Sequence, residues 1–207
     1  KLLINSTIST PKARFYGIDL ANFYLMTPMP DFEYMQLRLD LIPEEIQVKY
    51  DLRNLVDTQG WVYVEIRMGM YGLPQAGILA NNLLCTRLVK EGFYESLSTP
   101  GLWRHKWRPI QFSLIVDDFG VEYVGTDHFH FLLDILKKYH GVQFNMAGNK
   151  LAGISIKWDY PGKRCRLSMP GYIDNLLLKF KHPRPTKPRL SPYACIPISY
   201  GTTTQLT

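Results

Sequence analysis

The stretch that most constrains the fold is residues 112–124, FSLIVDDFGVEYV. An apolar, β-branched run leads into two adjacent aspartates, and a second alternating run leads away. That pattern predicts two short strands joined by a tight connection. Two-residue hairpin turns favour Asn-Gly or Asp-Gly, because the favoured turns need positive φ. Here the connection reads as Asp117-Asp118, which sets two like charges side by side where a glycine would fold more easily. The two aspartates at the hairpin tip are either an ordinary exposed turn or a place where a cation offsets their repulsion.

The rest of the chain supplies strands and helices around that hairpin. RFYGIDL reads as a buried strand ending at Asp19, and EYMQLRLDL and WVYVEIRM alternate as strands. Between the last two, residues 42–60 are polar with weak helical character. Pro74 suits a helix start, and Ile78, Leu79, Leu83, Leu84 and Leu88 recur at helical spacing up to Gly92. LWRHKW reads as a short strand. Thr126 is placed to cap a helix carrying Phe129, Leu132, Leu133, Leu136 and Tyr139. LAGISIKWDY and RCRLSM form a second hairpin across Pro161-Gly162, and YIDNLLLKF a short helix. A proline-rich tail follows from Lys181, expected to be extended. Strand pairs mixed with helices predict an α+β fold, antiparallel strands in one sheet with helices covering one face.

Composition excludes some classes of function. Apolar residues make up 46% and charged residues 20%, enough for a packed core rather than disorder. No apolar run approaches the ~18 residues of a membrane span. Cys85, Cys165 and Cys195 are far apart and odd in number, which favours a reducing, intracellular setting without a disulfide framework. Nine of the 24 Lys and Arg fall in residues 157–189, against only Asp159 and Asp174. A basic block beside a near-neutral body fits a polyanion partner such as nucleic acid, or equally a solvated surface. The chain starts at Lys1 and is expected to be a fragment of something longer.

Three carboxylates are predicted at strand ends: Asp19 after FYGI, and Asp117 and Asp118 after SLIV. If the two strands are neighbours, these groups converge, repel one another and are costly to desolvate. Mg²⁺ resolves that conflict, because it takes oxygen ligands, keeps several waters and is held by one or two carboxylates plus substrate phosphates. Two such ions can clamp the attacking and leaving oxygens of an in-line phosphoryl displacement.

Read together, DLANFY, YGLPQAG and IVDDFG resemble motifs A, B and C of reverse transcriptases, most closely those of copia-type retrotransposons. EGFYES, LAGISI and LSMPGYIDNLL follow in the family's order, so the resemblance runs from about residue 13 to about residue 182. It implies a polymerase palm with a ferredoxin-like antiparallel sheet over 1–150. A primer-grip hairpin and the passage toward a thumb would follow at 151–182, and the basic tail at 183–207. It implies that Asp19, Asp117 and Asp118, with the backbone carbonyl of Leu20, bind two Mg²⁺ ions, for which Mn²⁺ could substitute. Tyr24 would lie under the sugar and exclude a 2′-hydroxyl, Gln75 would contact the incoming nucleotide, and Gly153 and Ile154 would hold the primer end. Lys150 lies near the place where some polymerases protonate pyrophosphate. The implied partners are an RNA or DNA template–primer duplex, dNTPs and the remainder of a polyprotein (fingers, RNase H, integrase), in a cytoplasmic virus-like particle or the nucleus. The fingers, which lie upstream in the family, are expected to be missing here. Each residue also has a plainer reading: Tyr24 as core, Gln75 as a helix cap, Gly153 as relief of a crowded hairpin. A non-catalytic nucleic-acid-binding remnant keeps the basic block without the chemistry. A palm-like enzyme such as a nucleotide cyclase keeps the metals but does not need GLPQAG.

Overall fold

The run at residues 14–21 becomes β1 (Arg14–Ala21), whose alternate side chains feed two opposite faces. The computed structural model describes residues 1–145 and 147–187, in two units, Lys1–Ser168 and one that begins at Met169. In the first unit, β1 follows α1 (Leu2–Ser9) and precedes β2 (Pro28–Arg38), α2 (Glu44–Lys49), β3 (Trp61–Met68) and α3 (Pro74–Lys90). Then come β4 (Phe93–Glu95), β5 (Leu102–His105), β6 (Ile110–Ile115), β7 (Asp118–Tyr123), α4 (Thr126–Lys137) and β8 (Gly141–Asn145). The unit closes with β9 (Lys150–Leu151), β10 (Ile154–Asp159) and β11 (Arg164–Ser168).

The architecture is mixed α/β, and the main sheet is antiparallel with six strands in the order β4-β5-β6-β7-β1-β8. The expectation of one sheet needs correcting: β2 and β3 pair with each other alone, and β9, β10 and β11 form a third sheet. On one face of the main sheet, Ile18 and Leu20, Phe112 and Leu114, and Phe119 and Val121 pack against Leu84 and Leu88 of α3 and Phe129, Leu132 and Leu136 of α4. Each such fully buried side chain contributes about 1.5–3 kcal/mol.

Helices do not cover that face alone. The short α1 lies on the other, where Leu3 joins Phe15, Leu102 and Ile156. It is also tied by polar bonds: Ser6 Oγ, Thr7 Oγ1 and Gln111 Nε2 donate to the buried Glu122 carboxylate at 3.0, 3.2 and 3.1 Å. Three donors meet the hydrogen-bonding need that makes a buried carboxylate costly. Nor does Thr126 cap α4: it is the first helical residue, Gly125 holds the cap position, and no side chain bonds there.

The second unit is described over residues 169–187 and contains α5 (Tyr172–Lys179). Ile173, Leu178 and Phe180 are exposed there. The tail beyond Lys187, with Cys195, lies outside the described residues. Among the described residues no helix is long and apolar enough to cross a membrane.

Candidate active site

The β1–β7 ladder sets Asp19 directly opposite Asp118. Both point to the face away from α3 and α4, because their neighbours Ile18, Leu20 and Phe119 take up the buried one. The hairpin that delivers Asp118 differs from the expected one. Ile115 pairs with Asp118, so the two-residue turn is Val116-Asp117, and only Asp117 is at the tip. Val116 sits at φ 59°, a left-handed conformation that is an outlier for a β-branched residue and stores on the order of 1–3 kcal/mol. The residue is 51% exposed, so little packing offsets that strain. The turn is fastened to β1 by the Leu20 N–H, which donates to the Asp117 carbonyl at 3.1 Å.

We expect Val116→Gly to stabilise the chain by about 1 kcal/mol, raising Tm by roughly 2–4 °C, while loosening Asp117. Thermal melts check this, and a lower Tm would show that the turn is not strained.

The three carboxylates act on one another. Burial, then the negative charge of Asp117, raises the Asp19 pKa above its ordinary value. Burial, then Asp19 and Asp117, does the same to Asp118. Among the described residues no group of three His, Cys, Asp or Glu side chains is placed to hold a metal ion. Mg²⁺ asks for less than such a group, since one or two carboxylates with water and substrate phosphates can hold it, and Asp19 and Asp118 are the facing pair here.

Asp19 and Asp118 line an open cavity of about 310 Å³, together with Lys150 and Gly153. Gly153 and Ala152 form the β9–β10 turn, both at positive φ, and Ile154 opens β10 half-buried. Two glycines not expected to matter make this arrangement fit. Gly17 and Gly120 are cross-strand partners, two residues from Asp19 and Asp118 on the same face. A Cβ on Gly17 would come within 2.8 Å of the Lys150 carbonyl oxygen. One on Gly120 would meet Ser113, Leu151 and Phe15 at 2.9–3.0 Å. Glycine inside a strand pattern is the signal of such a close approach, and it was readable in FYGID and DDFGV.

Tyr24 and Gln75 belong to a neighbouring cluster. Half-buried Tyr24 meets Tyr71 edge-on at 4.8 Å, and its hydroxyl approaches Gly77 of α3. Gln75 lies in the first turn of α3 but caps nothing. Its Nε2 donates to Glu33 Oε1 at 2.6 Å, a carboxylate that sequence patterning did not single out because it sits within a strand.

No family model matches the chain, and no curated protein matches it. Among solved structures it is similar to telomerase from Candida albicans in complex with a TWJ fragment of telomeric RNA. That likeness has 12% identity and a TM-score of 0.41 over 75% of this chain and 31% of that one. It is similar as well to apo telomerase from Candida tropicalis truncated from its C-terminal domain, at 13% identity and a TM-score of 0.40 over 80% of this chain and 37% of that one. The chain thus spans about a third of the length of either.

Proposed function

We propose that this chain is the palm of an RNA-directed DNA polymerase of the reverse-transcriptase kind, drawn from a copia-type retrotransposon polyprotein. The observation that carries the reading is the register that opposes Asp19 to Asp118, with Asp117 in the turn beside them. In support, β1, α3, β6, β7, α4 and β8 follow one another with strand order β8-β1-β7-β6, the connectivity of a ferredoxin-like split βαβ unit.

In this reading Asp19, Asp117, Asp118 and the Leu20 carbonyl hold Mg²⁺, which supplies the positive charge that a phosphoryl displacement needs at its attacking and leaving oxygens. The reaction adds a dNTP to a primer 3′-hydroxyl on an RNA or DNA template and releases pyrophosphate. The Ala152-Gly153 turn and Ile154 hold the primer end beside the carboxylates. Tyr24, braced by Tyr71, blocks a 2′-hydroxyl, and Gln75, steadied by Glu33, contacts the nucleotide.

The test is primer extension on an RNA template with Mg²⁺ or Mn²⁺, using this chain with its natural upstream sequence restored. Template-directed extension is expected. Hybrid binding without extension under any of these conditions would leave a nucleic-acid-binding remnant as the better account.

A further inference from the structure

The basic block at residues 157–189 has no part in the site described above, and the register of the third sheet shows where its first members stand. β10 pairs with β9 on one side and β11 on the other, which sets Lys150, Ser155 and Ser168 on one rung and Lys157 opposite Arg166 two residues along. Cross-strand partners share a face, and so do residues two apart, so these five side chains lie on one side of the sheet. Leu151, Ile156, Trp158 and Cys165 take the other side, packed with Leu3 and Phe15. The polar side is open, with Lys150, Lys157, Arg166 and Ser168 all exposed.

Lys157 and Arg166 are direct partners, and like charges directly opposite one another destabilise a sheet. Among the described residues no carboxylate lies within ion-pair distance of Lys150, Lys157 or Arg166. Asp159, two residues beyond Lys157 on the same side, is taken up by Arg164 and by the Gly162 N–H. A groove of about 480 Å³ is lined by Lys150, Ser155, Lys157 and Ser168, with Asn149 and Ile156, and among the described residues no carboxylate lines it. Cations and hydroxyls without acids are the groups that hold the phosphates of a nucleic-acid backbone, and an anion between Lys157 and Arg166 would offset their repulsion.

Lys150 also lines the cavity that holds Asp19 and Asp118, so groove and cavity share a wall at that residue. The rung of Lys157 and Arg166 stands about 7 Å further along β10 than the rung of Lys150. We propose that the outer face of the third sheet binds the phosphate backbone of a nucleic-acid strand, with Lys157 and Arg166 clasping one phosphate and Lys150, Ser155 and Ser168 the next one toward the carboxylates. That this strand is the one extended at Asp19 and Asp118 rests on the polymerase reading above.

The test uses the chain with its natural upstream sequence restored and compares the unaltered protein with the double variant Lys157→Gln, Arg166→Gln. The control, Lys90→Gln with Lys106→Gln, removes two exposed charges elsewhere. In fluorescence anisotropy with a labelled RNA–DNA hybrid, the double variant is expected to bind about tenfold more weakly near 0.1 M salt, its salt slope smaller by about 2, with the control unchanged. In primer extension it should raise KM for the hybrid about tenfold and leave kcat within about twofold. Without nucleic acid it should melt no lower than the unaltered protein, because a repelling pair is gone. A lower melt would show that the pair serves the sheet instead and overturns the binding role. An unchanged slope, or a loss matched by the control, overturns the basic face, and extension by the unaltered protein then keeps the polymerase reading. Weaker binding with an unchanged KM overturns the link to the carboxylates. Weaker binding by the variant where even the unaltered protein fails to extend a primer keeps the basic face and overturns the polymerase reading.

Discussion

Asp118→Asn, made in the chain with its upstream sequence restored, is expected to lower Mg²⁺-dependent primer extension at least about a thousandfold, about 4 kcal/mol of transition-state stabilisation. Asparagine keeps the shape of the side chain and its place opposite Asp19, so what is lost is the charge. A structural consequence separates this from misfolding. Asp19 and Asp118 have raised pKa values in the folded chain. The folded state therefore holds more protons than the unfolded one as pH climbs from the ordinary carboxylate value near 3.8. Stability falls across that window as pH rises through the folded values. The variant removes one member of the repelling set, so in the absence of metal it should melt higher than the unaltered chain at pH 7 and nearly equal to it at pH 3. Mg²⁺ should raise the Tm of the unaltered chain more than that of the variant. A variant that extends primers at near-normal rate would remove Asp118 from the chemistry.

The second large effect is expected at a residue with no side chain. Gly17 is not at positive φ, so alanine there should by intrinsic preference stabilise the strand by about 0.5–1 kcal/mol. Its Cβ, however, would stand 2.8 Å from the Lys150 carbonyl oxygen. Backbone must move to admit it, and overpacking of this kind costs about 1–3 kcal/mol. We therefore expect Gly17→Ala to lower stability by about 1–2 kcal/mol in denaturant melts, and to lower extension further by displacing Lys150 and the Gly153 turn from the cavity. A neutral or stabilised variant would mean that the two sheets do not meet there.

Much of the frame was legible because it rests on period. β3 falls on residues 61–68 where WVYVEIRM alternates, and α3 begins at Pro74 as its fixed φ allows. The convergence of Asp19 and Asp118 followed from two strand ends and needed only that the strands be neighbours. What escaped was set by partners rather than by local pattern. Residues 2–9, LLINSTIS, have no capping side chain and little helical preference. They become a helix because Leu3 finds Phe15 and because Ser6 and Thr7 find Glu122, more than a hundred residues away. GVQFN at β8 is short and mostly exposed and becomes a strand because β1 offers an edge. The turn was misplaced by one residue because propensity argues against valine in a left-handed position, and the register imposed by β6 and β7 prevails. Among site residues, the roles of Tyr24 and Gln75 could be given only by resemblance. Their contacts with Tyr71 and Glu33 depend on how β2 and β3 fold over the start of α3.

The bond from the Leu20 N–H to the Asp117 carbonyl makes one amide proton a reporter for the whole site. Leu20 cannot exchange with solvent unless the turn that carries Asp117 lifts from β1, so its exchange rate measures how often the carboxylates separate. In hydrogen-exchange measurements Leu20 should be protected like the strand interior rather than like a loop, and Mg²⁺ should slow it further. Free exchange at Leu20 would mean that the turn is not fastened. A fastened turn leaves the protein little freedom to tune the distance between its carboxylates except by unzipping the end of β1. Substrate entry and site integrity would then be governed by the same few hydrogen bonds.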